Sequence, residues 1–248
     1  MERFKNKIVV VTGAGSGIGR STALRLDSEG ADLLLIDKNK DDLDATKNML
    51  KNKNSSAHVV DISSIISTEN FFKDLEKNYK RLDALINIAG ILRFDNSHEV
   101  ELETWNQILE INLTGTFFMC RHALPLLLKS KGAIVNVSST AALGAHAWTA
   151  AYSASKGGIS AFSKTLAVEY GMKGLNINCV CPASIETPMS SNPVMPKDID
   201  TRLLKKIMPL DGVNRSPDDI ASTIAFLASD DAIHINGIDL RVDGGLLT

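Results

Sequence analysis

Residues 8–20 read Ile8-Val9-Val10-Val11-Thr12-Gly13-Ala14-Gly15-Ser16-Gly17-Ile18-Gly19-Arg20. The β-branched run Ile8–Thr12 favours a pleated strand, and with no polar alternation it predicts one buried on both faces. The residues from Ile18 to Glu29 carry helix-like spacing, with Ile18, Ala23, Leu24 and Leu26 apolar. Of the four glycines at this strand–helix junction, three have separate uses. Gly13 permits a tight turn, Gly17 lets a pyrophosphate approach the backbone, and Gly19 lets helix and strand pack closely. The helix then presents unpaired N–H groups to an anion at its first turn. A strand–glycine turn–helix at the head of a chain predicts a dinucleotide-binding unit.

Working outward, the same alternation repeats. Strands are predicted at residues 7–12, 32–36, 57–60, 84–87, 133–138, 176–181 and 239–242, with helix-like stretches at 42–51, 67–78, 105–128, 151–170 and 217–228 between them. The last helix begins with Ser216 as N-cap, Pro217 in the first turn, and Asp218 and Asp219 at the positive end of its dipole. Strand–helix alternation requires right-handed crossovers. The expected fold is therefore α/β, a doubly wound Rossmann fold with a seven-stranded parallel sheet and helices on both faces. No linker or repeat interrupts it, so residues 1–248 are read as one domain for dinucleotide binding and catalysis. One stretch breaks the rhythm: from 182 to 216 there are five prolines and weak periodicity. Such an insert in a compact domain is usually functional, and residues 188–210 are read as a substrate lid.

Composition narrows the function. Of 248 residues, 44% are hydrophobic and 23% charged, with 27 basic and 29 acidic side chains for a net charge of −2. That balance argues against disorder and against a nucleic-acid partner. No apolar run reaches about 18 residues, so no membrane span is expected, and no secretory leader is read before the glycine turn. A cytoplasmic, reducing location is the expectation. The cysteines Cys120, Cys179 and Cys181 are too few for a disulfide framework. Cys179 and Cys181 should share one strand face as small buried hydrophobes. The five histidines have no ligand spacing, so no metal is expected.

Candidate chemistry lies at the strand ends. Asp37 follows Gly19 by 18 residues, the place for a carboxylate that holds the ribose hydroxyls of NAD. It would repel a 2′-phosphate by about 4 kcal/mol at 4 Å and an effective dielectric of 20. NAD over NADP is predicted, with adjacent Lys38 as a softening charge. Tyr152 and Lys156 are four apart and share a helix face. A phenol ionising near 10 is a poor acid–base group at neutral pH, and a nearby ammonium would lower that value. Ser138 and Ser139 end the fifth strand, at the edge where open α/β sheets bind ligands. Asn112 is a polar amide in an apolar helix and needs partners.

These motifs, in order and spacing, resemble the short-chain dehydrogenase/reductase family from Lys7 to Gly245. The resemblance rests on TGAGSGIG at 12–19, Asp61, NIAG at 87–90, Asn112, Ser139, YSASK at 152–156, and Pro182 through Thr187. It implies hydride transfer between a nicotinamide and a carbinol or carbonyl carbon. Tyr152 would be the acid–base residue, Ser139 would hold the substrate oxygen, and Lys156 would bind the nicotinamide ribose and lower the tyrosine pKa. Asn112 would support a water relaying protons from Lys156. Gly13, Gly17 and Gly19 would cradle the pyrophosphate. Asp61 and Ile62 would contact adenine, Asn87 would lie near the adenosine, and Ile185 and Thr187 would hold the carboxamide. Ser16, Ile18, Ala89, Gly90 and Pro182 complete the implied cofactor set. Ser139 is preferred to Ser138 because it lies 13 residues before Tyr152. The chain departs from the family pattern at Ile88, usually asparagine, and Ala183, usually glycine. The resemblance also implies a homotetramer built on the helices at 105–128 and 151–170 and on the C-terminal segment.

Three stretches are expected to line a substrate pocket: 91–94, 140–148 and 183–208. Their apolar residues include Leu92, Phe94, Trp148, Met189, Val194 and Met195, which suggests a largely apolar alcohol or ketone. Arg93, Ser184 and His146 are the polar possibilities. His146 is read as a loop histidine at the rim, with orientation of a substrate oxygen as the other reading. A 3-oxoacyl-carrier-protein reductase is the nearest alternative, argued against by Asp37. A nucleotide-sensing relative without catalysis is the other, argued against by the complete set Asn112, Ser139, Tyr152 and Lys156.

Overall fold

The computed structural model describes residues 2–191 and 193–248. Its centre is one parallel sheet of seven strands: β1 (Ile8–Thr12), β2 (Asp32–Asp37), β3 (Ser56–Val59), β4 (Ala84–Asn87), β5 (Ala133–Val137), β6 (Asn176–Pro182) and β7 (Asp239–Val242). Their order is β3-β2-β1-β4-β5-β6-β7, so the sheet grows one way from β1 and then reverses at β4. The carboxyl ends of β1 and β4 diverge there, which opens the crevice of a doubly wound sheet.

Alternation along the buried strands builds two cores. Val9, Val11, Leu33, Leu35 and Ile86 face one side with Ala23 and Leu26 of helix α1 (Gly17–Ser28). Helix α2 (Lys40–Met49) contributes Leu43 to that side. Val10, Leu34, Ile36 and Ile134 face the other, with Phe71, Phe72 and Leu75 of helix α3 (Ile65–Tyr79). Period-2 side chains in strands covered on both faces leave no polar side, hence the unbroken β1 run.

The stretch expected as one helix from 105 to 128 is segmented. Helix α4 (Leu102–Ile108) runs into a π-helical turn (Leu109–Thr114), and helix α5 (Gly115–Ser130) continues from it. The wider turn shifts the side-chain phase and puts Asn112 in the interior. Helix α6 (Ala150–Gly171) follows β5. The proline-rich insert has two short ordered pieces, helix α7 (Pro188–Ser191) and a 3₁₀ segment (Thr201–Ile207). Helix α8 (Pro217–Leu227) starts as its sequence predicts, with Ser216 Oγ accepting from Asp218 N at 3.2 Å. It packs Ile220 and Ile224 into the first core. Cys179 and Cys181 are buried together against Ile159, as free thiols. Among the described residues no helix is long and apolar enough to cross a membrane.

Candidate active site

A cleft of about 780 Å³ lies along the carboxyl ends of the strands. Its floor begins at the glycine turn. Gly13 has φ +66°, and a Cβ there would stand 2.9 Å from the Ala89 backbone. A Cβ at Gly19 would stand 1.9 Å from the Gly13 carbonyl oxygen. Both positions are therefore closed to any side chain, as close packing of turn, helix and β4 loop demands. Thr12 supports the same loop from below, its Oγ1 accepting from Ile88 N at 3.0 Å and Ala89 N at 3.2 Å. Sequence reading missed Thr12, although a threonine closing a buried strand is a signal of that kind.

Asp37 ends β2 at the cleft wall beside Lys38. Its carboxylate accepts from Gly15 N and Asn39 N, each at 3.0 Å, which fixes a negative charge over the turn. Arg20, also unassigned by sequence, is held on the outer side by Thr46 Oγ1 at 2.9 Å and by the Gly15 carbonyl. Asp61 and Ile62 line the cleft beyond Asp37, and Ile62 is buried against Gly115. Ser16, Gly17, Ile18, Ala89 and Gly90 line it as well, with Pro182, Ile185 and Thr187 on the far wall.

Asn87 is not in the cleft. It is buried, with Nδ2 donating to Asn136 Oδ1 at 2.8 Å and to Cys120 Sγ at 3.4 Å. Asn136 Nδ2 in turn donates to Ser163 Oγ at 2.8 Å, so the amide pair ties β4 and β5 to α6. The side chain of Asn87, at the end of β4, thus points into the sheet's covered face rather than into the cleft. Ile88, the departure from the family pattern, lies at the cleft and also packs on the first core.

The chemistry-bearing side chains converge from β5, the π-helical turn and α6. Ser139 and Tyr152 line the cleft together. Ser139 Oγ accepts from Ala141 N at 3.1 Å. Ser138 Oγ donates to the Lys156 carbonyl at 2.9 Å and meets Ser160 Oγ at 2.9 Å, so it fastens α6 to β5. Strand alternation thus separates the two serines. Burial raises the Tyr152 phenol above its ordinary pKa of 10, and the Ser139 hydroxyl opposes that shift. Lys156 is buried; its Nζ donates to the Val137 carbonyl at 2.7 Å and stands 5.7 Å from the Tyr152 ring centre. Desolvation lowers its pKa to about 8. In this arrangement burial, not the ammonium, controls the phenol.

Asn112 lies behind the cleft rather than in its wall. Its Nδ2 donates to the Ile91 carbonyl at 2.9 Å and to Ser155 Oγ at 3.0 Å, and its Oδ1 accepts from Ile91 N at 2.8 Å. Both amide protons are spent on protein. A Cβ at Gly90 would lie 3.1 Å from Asn112 Oδ1 and 3.6 Å from Lys156 Nζ, so both atoms border the space beside Gly90.

The substrate end is lined by Leu92, Phe94, Met189, Met195, Ile207 and Met208. Arg93, Ala141, Ala142, Leu143, Ala145, Ala147, Trp148 and Val194 were read into the pocket stretches, yet none of them lines it. Val194 is 85% exposed, and the 140–142 segment is a 3₁₀ turn whose buried Ala141 faces inward. From that loop only Thr140, His146 and Thr149 reach the cleft. Asn214 lines it too, unassigned by sequence because it lies past the prolines, beside the parallel bridge of Ile185 with Arg215. Among the described residues no three His, Cys, Asp or Glu side chains gather as metal ligands.

A family model described as Enoyl-(Acyl carrier protein) reductase matches residues 13–247. The chain belongs to the short-chain dehydrogenase/reductase family. It is similar to the meso-2,3-butanediol dehydrogenase of Serratia marcescens, 36% identical over 243 residues, which cover 98% of this chain and 95% of that one. It is similar to a 3beta-hydroxysteroid dehydrogenase of Mediterraneibacter gnavus, 34% identical, with 100% and 97% covered. The crystal structure of levodione reductase superposes with a TM-score of 0.90 at 29% identity over 98% of each chain. Membership makes this chain an oxidoreductase.

Proposed function

We propose that the chain transfers a hydride between NAD(H) and the carbinol or carbonyl carbon of a largely apolar alcohol or ketone, with Tyr152 as acid–base residue. The observation that carries this reading is the convergence of Ser139 and Tyr152 at the cleft wall, with Lys156 behind them. The residues fit the cofactor on two counts. Gly13 and Gly19 let the turn pack closely under the cleft, and Gly17 adds no side chain where a pyrophosphate would approach, a Cβ there lying 3.1 Å from Thr187 of the far wall. The anchored Asp37 carboxylate suits ribose hydroxyls and repels a 2′-phosphate. Asp37, Asp61 and Ile62 would hold the adenosine end, with Ile185 and Thr187 at the other. When bound, the nicotinamide supplies or accepts the hydride.

The chain's own groups do the rest. Ser139 Oγ accepts from Ala141 N, and its O–H, which bears on the Tyr152 phenol, would turn to donate to a substrate oxygen. Tyr152 Oη gives that oxygen a proton in reduction and takes one in oxidation. Because burial keeps the phenol protonated at neutral pH, reduction is to be favoured near pH 7 and oxidation is to gain as pH rises. Lys156 spends one N–H on Val137 and keeps two for the ribose and for a proton path past Gly90 and Asn112 Oδ1. Residues 188–210 act as a lid over one domain. The location is cytoplasmic, and the assembly is a homotetramer. In support of that assembly, α5 and α6 leave Phe117 40% and Val168 84% exposed, and Met172, just past the end of α6, is 98% exposed.

The test is a panel of secondary alcohols and ketones run with NAD(H) and NADP(H). The reading predicts turnover with at least tenfold higher kcat/KM for NAD than for NADP, a modest share of the repulsion at Asp37. Nucleotide binding with no turnover across the panel would favour a nucleotide sensor, and an NADP preference would favour the 3-oxoacyl-carrier-protein reductase reading.

A further inference from the structure

His146 lies seven residues after Ser139 and six before Tyr152, and it lines the same cleft. Its Nε2 is shielded from solvent and has no hydrogen-bond partner among the described residues. A shielded polar atom without a partner is costly, and the cost disappears when the imidazole ring turns to meet an oxygen in the cleft. Burial also lowers the ring's pKa, so the imidazole is neutral at pH 7 and can donate or accept.

The surrounding loop is held in place rather than slack. Thr149 Oγ1 donates to the His146 carbonyl at 3.0 Å and meets Ser153 Oγ at 2.9 Å on α6. Asp95 N donates to the Trp148 carbonyl at 2.8 Å. Trp148 itself has φ +64°, a left-handed conformation that a bulky side chain adopts only when its surroundings impose it. The strain lies two residues from His146, in a loop whose backbone Thr149 fastens to the start of the helix carrying Tyr152. Most of the remaining lining at the substrate end is apolar, and Asn214 Oδ1 is the other shielded polar atom there without a partner among the described residues, so an uncommitted imidazole beside Ser139 and Tyr152 is a discriminating group.

We propose that His146 Nε2 hydrogen-bonds a second oxygen of the substrate, so that the preferred substrate is dioxygenated: a diol, hydroxy ketone or diketone rather than a simple alcohol or ketone. The inference rests on the hydride-transfer reading above. It assigns His146 as a specificity residue that contacts substrate away from the reacting carbon.

The experiment measures kcat/KM with NAD for 2,3-butanediol against 2-butanol and for 1,4-cyclohexanediol against cyclohexanol. Both ratios are taken for the wild type, His146→Leu and His146→Gln. In the wild type at least one diol is expected to exceed its mono-alcohol by about tenfold or more, the range for one hydrogen bond in a shielded site. His146→Leu is expected to cut that ratio by about tenfold, and His146→Gln, which keeps a donor and an acceptor, to restore part of it. A wild type without diol preference overturns the inference alone. So does a His146→Leu variant whose diol and mono-alcohol values fall by the same factor, or one whose ratio does not move. Absence of turnover with all four alcohols and with 2,3-butanedione would overturn the hydride-transfer reading itself, and the inference with it.

Discussion

The glycine turn at residues 12–19 and the insert at 183–215 face each other across one cleft, and they are built by opposite means. The turn is set by backbone: Gly13 and Gly19 leave no room for a Cβ, Asp37 and Arg20 pin the turn at Gly15 by hydrogen bonds, and Thr12 holds the adjoining loop after β4. The insert is set by side chains on short segments, with Met189, Met195 and Ile207 offering apolar surface and few bonds between them. A site that must take one fixed nucleotide tolerates no variation. A site that selects among alcohols is reshaped by changing loop side chains without disturbing the sheet.

The sharpest way to break this contrast is Gly19→Ala. A methyl 1.9 Å from the Gly13 carbonyl forces the turn apart, and we expect NAD affinity to fall at least a hundredfold with a stability loss of about 1–3 kcal/mol. Calorimetry and urea unfolding would measure both, and wild-type affinity would mean that the turn is not the nucleotide cradle. Next is Lys156→Met. Lys156 ionises near pH 8 when folded and near 10.5 when unfolded, so the unfolded chain binds more protons between those values. The wild type therefore gains stability as pH rises through that window. Relative to Lys156→Met it should gain about 2 kcal/mol between pH 7 and 10. A pH-independent difference would place the ammonium in solvent. Asp37→Ser is to narrow the NAD:NADP ratio of kcat/KM by about tenfold, a fraction of the full like-charge term. The smallest effect is expected for Met195→Ala in the insert, a severalfold rise in substrate KM with NAD affinity and melting temperature unchanged. A large loss of stability there would make the insert part of the core and erase the contrast.

The two regions also differ in how far their sequence could be read. The β1 run, the glycines and Asp37 obey local rules, so strand, turn, helix and the carboxylate at the strand end were all legible. Tyr152, Lys156 and Ser139 were legible as a spacing on one helix and one strand end. What could not be read was tertiary direction. Asn87 carries the right residue type at the right place, but strand alternation aims it into the covered face, where Asn136 takes it. Asn112 turns inward through a π-helical turn that a 3.6-residue period does not announce. Val194 looked like a pocket wall because it is apolar, yet it is exposed, and Trp148, which could equally pack against the lid or touch substrate, does not line the cleft. Asn214 enters the cleft by the bridge between Ile185 and Arg215, a pairing across 30 residues with no local signal.

The central claim is that Tyr152 moves the proton while the rest of the cleft binds the nucleotide. Tyr152→Phe removes one oxygen from a side chain whose ring packing is kept. Turnover and NADH affinity measured on the same preparation test it most directly. The account predicts kcat reduced by about 10²–10⁴-fold, the usual contribution of one acid–base group, with NADH affinity within a few-fold of wild type. A variant that turns over at near wild-type rate would contradict it.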